Sequence, residues 1–565
     1  MKIFFSIFNK LTKSEKVKFY WITFFIIILL FLELISLSLL LPIIKIIFSS
    51  EKVSILNENF FFNNLNFQNQ IYFLLGSLVF LYFFKNIFNA FIIYFKKRFL
   101  SDIQVNFSSR VFSYFLNQPY NYFLINNKPQ IMRNLGILQE YIIVVENFIN
   151  IAIEIFILAL ILSIIFYNNI FVGLFLTVFA FFFIFVFLKV FKDRFRRYGE
   201  LINRYNEKLL NNYLDTLGSI KDIILQKKQD FFIRNFSNNI SVQATTNVKN
   251  GFFVEAPRLI IEILLVLGIS SLIVLLTMVN QDLREITVTL TFTIALILRA
   301  IPSITRIIYQ SSGLFFKIDT IKRVQLLLST LKVEKNLYEK KEIDFKKISL
   351  KNINFTYVDQ NKIEIFKNLN LSINKNETIG IIGSSGSGKS TLLDIICCIL
   401  SPNEGGVYLD DKLINTELLG SWQNKISYIS QKNYLLNGSL AQNIAFAEGE
   451  KDIKIERIYE AIKFSKLDRL VESHKEGINF QIGEDGKNIS GGQRQRIILA
   501  RSIYRKADVI IFDEATSALD KSIENEILDD IKENFYGKKT LFISTHKEST
   551  LSFCDRIINV DNLKK

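Results

Sequence analysis

The pattern of apolar positions divides this 565-residue chain in two. As far as residue 310, apolar runs at 19–41, 71–95, 141–166, 170–191, 259–279 and 286–308 are each close to the roughly 20 residues a helix needs to cross a bilayer. They predict six membrane helices, an even number that returns the chain to its starting side. Farther on, the runs shorten. Residues 377–382 and 509–512 read as buried strands, each leading into a polar motif. The fold predicted is an α-helical six-span membrane domain over 1–330, a linker of alternating charge at 331–347, and an α/β nucleotide-binding domain over 348–565.

Charge flanking the runs sets an orientation, because cytosolic flanks are enriched in Lys and Arg. Lys96, Lys97, Arg98 and Arg110 follow the second run, and Lys189, Lys192, Arg194, Arg196 and Arg197 follow the fourth. The turn at Asn168-Asn169 carries no charge, and 280–285 is slightly acidic. Both termini are therefore expected in the cytosol. The first run lacks a small-residue cleavage site and is too long for a signal core, so it is expected to stay as a membrane helix.

The segments 96–140 and 192–257 have no linker composition. They are expected to continue membrane helices into the cytosol and to turn through short helices near 118–127 and 214–225. On the outer side, Val53, Leu56, Phe60 and Phe67 share one helical face of an Asn-rich stretch. Two readings stay open there: an interfacial helix, or a loop that dips aromatics into the headgroups.

Composition agrees with a membrane protein: half of the residues are hydrophobic and 55 are Phe. The net charge of +15 is spread along flanks of apolar runs and forms no recognition module, so no nucleic-acid partner is expected. Cys397, Cys398 and Cys554 all fall in the second half without disulfide spacing, which suits a reducing compartment.

The chemistry lies in that second half. Gly383-Ser384-Ser385-Gly386-Ser387-Gly388-Lys389-Ser390-Thr391 stands between a predicted strand and a predicted helix. Glycines let backbone amides converge on phosphate oxygens, Lys389 offsets β- and γ-phosphate charge, and Ser390 offers a hydroxyl to Mg²⁺. At the end of the strand 509–512, Asp513 is placed to hold the Mg²⁺ shell, and Glu514 to orient or deprotonate the attacking water. ATP and Mg²⁺ are the expected ligands.

With Ile489-Ser490-Gly491-Gly492-Gln493 between these two motifs, residues 348–565 resemble the ATP-binding cassette family. The resemblance implies that Tyr357 stacks on adenine, Gln431 touches Mg²⁺, and His546 contacts the γ-phosphate. It also implies that Ser490, Gly491, Gly492 and Gln493 act on a nucleotide held by a second subunit, with Asp520 in the loop that crosses between the two. Ile489 replaces the usual leucine, and Ile482-Gly-Glu-Asp-Gly486 replaces the commoner Val-Gly-Glu-Arg-Gly. One six-span domain ahead of one cassette resembles the half-transporter exporters, which implies a homodimer embedded in membrane lipids.

Charges inside apolar runs are the cue to what is moved. Lys45, Lys85, Arg258, Arg299 and Arg306 interrupt otherwise apolar sequence, and a buried membrane charge normally faces a cavity or a partner. Arg299 and Arg306, on nearly one helical face, would give a basic belt suited to phosphate or pyrophosphate. The alternative is that Arg258 and Arg306 reach the cytosolic interface, or that Glu33, Glu146, Glu154 and Glu262 neutralise the set. In its Phe/Asn-rich character the chain resembles the PglK-type lipid-linked oligosaccharide flippases of bacterial protein N-glycosylation. That resemblance implies cargo carried from the cytoplasmic to the periplasmic leaflet of the inner membrane, with Lys85, Arg258, Arg299 and Arg306 on the pyrophosphate and Phe60 and Phe67 near the polyprenyl tail. A multidrug or lipid A-type exporter, and an ATP-gated membrane protein that does not pump, are the competing readings.

Overall fold

The structure, a computed structural model, describes residues 11–49, 67–126, 128–278, 283–330, 342–357, 364–430, 434–483, 486–514, 521–545 and 548–564. It divides into two units, 1–117 with 126–332 and 118–125 with 333–565.

The helices of the first half are α1 (Lys13–Ser38), α2 (Leu40–Ser49), α3 (Phe67–Leu116), α4 (Tyr120–Ile125), α5 (Lys128–Asn168), α6 (Ile170–Gly218), α7 (Ile220–Leu225), α8 (Gln229–Met278), α9 (Leu283–Phe316) and α10 (Ile318–Thr330). Helices α3, α6 and α8 have 50, 49 and 50 residues. At 1.5 Å per residue that is about 75 Å, more than twice a hydrocarbon core of about 30 Å. Their ends are therefore too long to be membrane-embedded, and the short α4 and α7 fall where the sequence places connecting helices.

Among the described residues, Lys13–Ile47, Gln68–Leu116, Asn134–Asn168 and Ile286–Phe316 are long and apolar enough to cross a membrane. The expected span at 170–191 lies within α6, and that at 259–279 lies within α8 as far as its last residue, Met278. The first expected span, 19–41, is not one unbroken helix. It turns at Leu39, between α1 and α2, because Pro42 has no N–H to donate and its ring conflicts with the carbonyl four residues back. The tight reversal at Asn169 is fixed by its side chain, whose Oδ1 accepts from the N–H groups of Phe171 and Val172 at 3.0 and 3.2 Å.

Two helices, α6 and α5, set the packing of α9. A Cβ on Gly199 of α6 would lie 1.8 Å from the Phe316 carbonyl oxygen, so glycine is what lets these backbones approach. Against α5 the contacts repeat by heptads. Glu140, Asn147 and Glu154 of α5 meet Thr320 of α10 and Gly313 and Arg306 of α9 in antiparallel order: Thr320 Oγ1 to Glu140 at 3.1 Å, Asn147 Nδ2 3.0 Å from a Cβ built on Gly313, and Arg306 to Glu154 at 2.8 Å. A polar seam thus runs beside the apolar core of Leu37, Ile161, Val172, Phe292 and Leu296.

The second unit holds two sheets. β1 (Lys347–Thr356), β2 (Glu364–Asn374), β4 (Glu404–Leu409) and β5 (Lys412–Leu413) are antiparallel in the order β2-β1-β4-β5. β3 (Thr378–Ile382), β6 (Ile426–Ile429), β7 (Val509–Asp513), β8 (Thr540–Ser544) and β9 (Arg556–Asn559) form a parallel sheet in the order β6-β7-β8-β3-β9. Every residue of β7 and β8 is buried, as a parallel sheet covered on both faces requires. Since the strands are parallel, their C-terminal ends share one edge, and the loops leaving β3 and β7 carry the phosphate loop and Asp513-Glu514 to it.

Candidate functional site

The phosphate loop leaves β3 at Ile382 and enters helix α11 (Lys389–Ile396) through Gly388. Gly388 has φ 102°, and a Cβ there would lie 2.7 Å from Ile365 Cγ2, so both backbone and space demand glycine. Lys389 is 8% exposed and donates from Nζ to the carbonyls of Gly383 and Ser384 at 2.8 and 3.2 Å. Ser384, Ser385 and Gly386 are exposed at the loop's rim, as is Ser390. Ser387 Oγ is buried with no hydrogen-bond partner, a polar atom that a phosphate group in this loop could satisfy. Tyr357, at the end of β1, is half-buried; its hydroxyl lies 3.0 Å from Thr391 Oγ1 and its ring meets Phe355 edge-on.

A residue that motif reading missed holds the loop from outside. β9 pairs with β3 up to Asn559 opposite Ile382. Two residues on, the Asp561 carboxylate accepts from the Ser384 N–H at 2.8 Å and from its hydroxyl at 2.7 Å. Only the strand order, with the C-terminal β9 beside β3, reveals this partner.

At the end of β7, Asp513 is 7% exposed, and its Oδ2 accepts from the Tyr428 hydroxyl at 3.0 Å. Tyr428 comes from the adjacent β6, whose Tyr428 pairs with Ile511. Burial, then the neighbouring Asp513 charge, push the Asp394 carboxyl up to about 6, partly offset by the nearby Tyr428 hydroxyl. Burial, followed by the same two carboxylates, raises the Tyr428 hydroxyl. Two carboxylates crowded together are the electrostatic setting that a divalent cation relieves, so these residues fit Mg²⁺. Tyr428 and Asp394 were not singled out in the sequence. Their signal is weak: a hydroxyl and a carboxylate in otherwise apolar elements.

Glu514 takes φ 51° where β7 ends, with its N–H on the Ser544 carbonyl at 3.1 Å. A left-handed backbone at a residue other than Gly, Asn or Asp is uncommon and clusters at functional sites. Ser490 caps helix α12 (Gly491–Arg505) through a reciprocal box: its Oγ accepts from Gln493 N–H at 3.2 Å, and Gln493 Oε1 accepts from Ser490 N–H at 2.8 Å. The amides of Gly491 and Gly492 belong to the first turn, which has no intrahelical acceptors. Gln431, Asp520 and His546 lie outside the described residues, as do Phe60, Glu484 and Asp485. Phe67 opens α3.

In the helical unit, the cations expected to form a belt each have a carboxylate. Lys85 Nζ is 2.9 Å from Glu33 Oε2, and Arg299 meets Glu33 Oε1 at 2.5 Å. Arg306 pairs with Glu154 at 2.8 Å, and Arg258 with Glu262 on the exposed side of α8 at 3.3 Å. Lys85 and Arg299 are thus brought together, while Arg306 and Arg258 are directed to other neighbours. Of the four carboxylates expected to neutralise the set, Glu33, Glu154 and Glu262 do so, with Glu33 serving two cations at once, while Glu146 pairs instead with Lys97 at 2.8 Å.

Residues 366–517 match the ABC transporter family. An ATP-dependent lipid A-core flippase of Cupriavidus pinatubonensis is 36% identical over 195 residues, 34% of this chain and 33% of that protein. A protein of the same description from Pasteurella multocida is 32% identical over 288 residues, 51% of this chain and 48% of the relative. The chain spans about a third to a half of the length of these curated relatives. The solved structure of a bacterial Atm1-family ABC exporter with ATP bound superposes with a TM-score of 0.79, at 17% identity, over 96% of this chain and 93% of that one. The fold is that of an ABC exporter, a helical domain joined to an ATP-binding cassette.

Proposed function

We propose that this chain is one subunit of a homodimeric, ATP-hydrolysing exporter of the bacterial inner membrane, with both termini cytosolic. Helices α1, α3, α5, α6, α8 and α9 supply six spans per subunit. The observation that carries the ATPase reading is the shared sheet edge: the loop to Lys389 and Ser390 leaves β3, and Asp513 and Glu514 end β7, at the same end of one parallel sheet in which β8 lies between the two strands. ATP is bound by the loop Gly383–Thr391, with Tyr357 at the base. Ser390 and Asp513, together with Gln431, would hold Mg²⁺, which supplies neutralisation of phosphate charge. Glu514 orients the attacking water and takes its proton, and His546 contacts the γ-phosphate. Ser490, Gly491, Gly492, Gln493 and Asp520 serve the nucleotide of the second subunit, so the homodimer completes both sites.

The proposed cargo is a polyprenyl-pyrophosphate oligosaccharide, flipped from the cytoplasmic to the periplasmic leaflet. Support comes from the unequal cluster of Lys85, Glu33 and Arg299, which keeps one unit of positive charge for an anionic group. A second reading, a lipid A-type exporter, is favoured by what the two bacterial relatives are described as moving.

The test is ATP-dependent translocation of a fluorescent lipid-linked oligosaccharide in proteoliposomes, comparing the parent chain with Glu514→Gln. Movement abolished by the substitution supports the flippase. Absence of movement in a preparation that still hydrolyses ATP moves the reading to the lipid A-type exporter.

A further inference from the structure

Glu33 is the most enclosed ionised side chain of the helical unit's charge cluster. Its side chain is 5% exposed and that of Lys85 is 8% exposed. Its two oxygens are divided between two cations on two other helices, Oε2 to Lys85 of α3 and Oε1 to Arg299 of α9, whose Nε also donates at 2.7 Å. Lys85 is further held over the Tyr82 ring, its Nζ 3.9 Å from the centroid. Among the described residues, these two cations share one carboxylate, which leaves an excess positive charge. Of the three side chains, Arg299 is the most open, at 25% exposure against 8% for Lys85 and 5% for Glu33. A second anion therefore has one side from which to approach, and it meets the guanidinium first.

From this we propose that Glu33 is a tethered stand-in for the cargo's anionic group. A phosphate or pyrophosphate takes over Arg299, while Glu33 keeps Lys85. The inference rests on the anionic-lipid reading above and deepens it: Glu33 limits how tightly the site holds its cargo and selects groups carrying more charge than a single carboxylate. Occupying an internal site with a weaker, covalently attached anion also stabilises the empty state, since buried cations with no partner are costly. A guanidinium fork engages a phosphate through two parallel hydrogen bonds, whereas here Nε and a terminal nitrogen converge on one carboxylate oxygen, which leaves fork geometry for a phosphate to gain.

The charge arithmetic gives a test in which two substitutions at one contact move binding in opposite directions. The full chain is reconstituted in nanodiscs, and binding of farnesyl pyrophosphate is titrated for the parent, Glu33→Gln, Lys85→Gln and Arg299→Gln. Glu33→Gln removes the competing anion and should tighten binding by about tenfold; Lys85→Gln leaves Glu33 to neutralise Arg299 alone and should weaken it by about tenfold. Arg299→Gln should abolish saturable binding. Both substitutions at the Glu33–Lys85 contact break the same ion pair, so a purely structural role predicts that they act in the same direction. Equal losses, or no change in either, overturn the inference. If Glu33→Gln does not fold, as judged by its melting profile, Glu33→Asp is the substitute. Its shorter reach should loosen the hold on Arg299 and tighten binding, and weaker binding would sink the proposal. The two readings fail separately: oligosaccharide translocation by the parent with no opposite shifts rejects the Glu33 role alone, whereas absence of translocation and of binding by every variant rejects both.

Discussion

Ser384, the second residue of the phosphate loop, gives both its N–H and its hydroxyl to the carboxylate of Asp561, at 2.8 and 2.7 Å. A residue close to the C-terminus thereby fixes the start of the loop. Its position follows from β9 lying beside β3 in the sheet.

Removing that brace should cost nucleotide affinity and spare turnover. Asp561→Ala loses two charge-assisted bonds on an exposed rim, which after screening translates to a roughly three- to tenfold rise in the ATP dissociation constant. Asp561→Asn should fall between, because its amide oxygen still accepts from the Ser384 N–H. Fluorescent-nucleotide titration on a Glu514→Gln background reads affinity without hydrolysis, and the maximal hydrolysis rate is measured separately on the single variants. An unchanged dissociation constant in Asp561→Ala would deny the brace any role.

How much of this was legible follows the range of the interactions. The phosphate loop and Asp513-Glu514 are local motifs whose chemistry depends on a strand end, and apolar runs beside them announce the strands. The connecting helices at Tyr120–Ile125 and Ile220–Leu225 could be placed because long polar stretches cannot remain loops. The partners Asp561 and Tyr428 could not, since each reaches its target only through strand order. Pairing in the helical unit was legible as an inventory of Glu residues but not as a geometry. Nothing in the spacing of Glu33 says that one carboxylate will serve both Lys85 and Arg299.

Asp394 should make the cassette less stable as pH rises through the weakly acidic range. Its carboxyl is pushed from 3.8 up to about 6 by burial and the Asp513 charge. The folded state therefore binds a proton more tightly than the unfolded chain, and this contribution, complete below about 4, is lost as pH passes 6. Allowing for partial solvent access, the slope should total at most about 2 kcal/mol. Asp394→Asn should flatten it. Melting curves of nucleotide-free protein between pH 4 and 7, about the window set by those two values, check the sign; a parent that gains stability across that window contradicts it.

Glycine substitutions in two long helices should act in opposite senses. Gly199→Ala puts a methyl 1.8 Å from the Phe316 carbonyl oxygen, so α6 and α9 must separate, at a cost of about 1–3 kcal/mol. Gly251→Ala meets nothing within 4 Å inside α8 and should gain about 0.5–1 kcal/mol from helix propensity. Thermal unfolding in one detergent compares them directly. A Gly199→Ala protein as stable as the parent would show that the close approach is not required.

Of the two arginines on α9, Arg299 rather than Arg306 should be the one available to cargo. Arg306 is half exposed, while Glu154 has 9% side-chain exposure and a second oxygen, Oε2, buried without a hydrogen-bond partner. Removing either partner is therefore not equivalent. Arg306→Gln strands a buried carboxylate and should cost about 2–3 kcal/mol, whereas Glu154→Gln leaves a cation that can turn to water and should cost under about 1 kcal/mol. The double variant should recover most of the loss, because the stranded charge is gone. If Arg306 is committed to Glu154 in this way, the double variant also keeps lipid translocation relative to ATP hydrolysis, and Arg299→Gln does not. Translocation lost in the double variant with hydrolysis intact would place Arg306 on the cargo after all and return the basic belt to its full width.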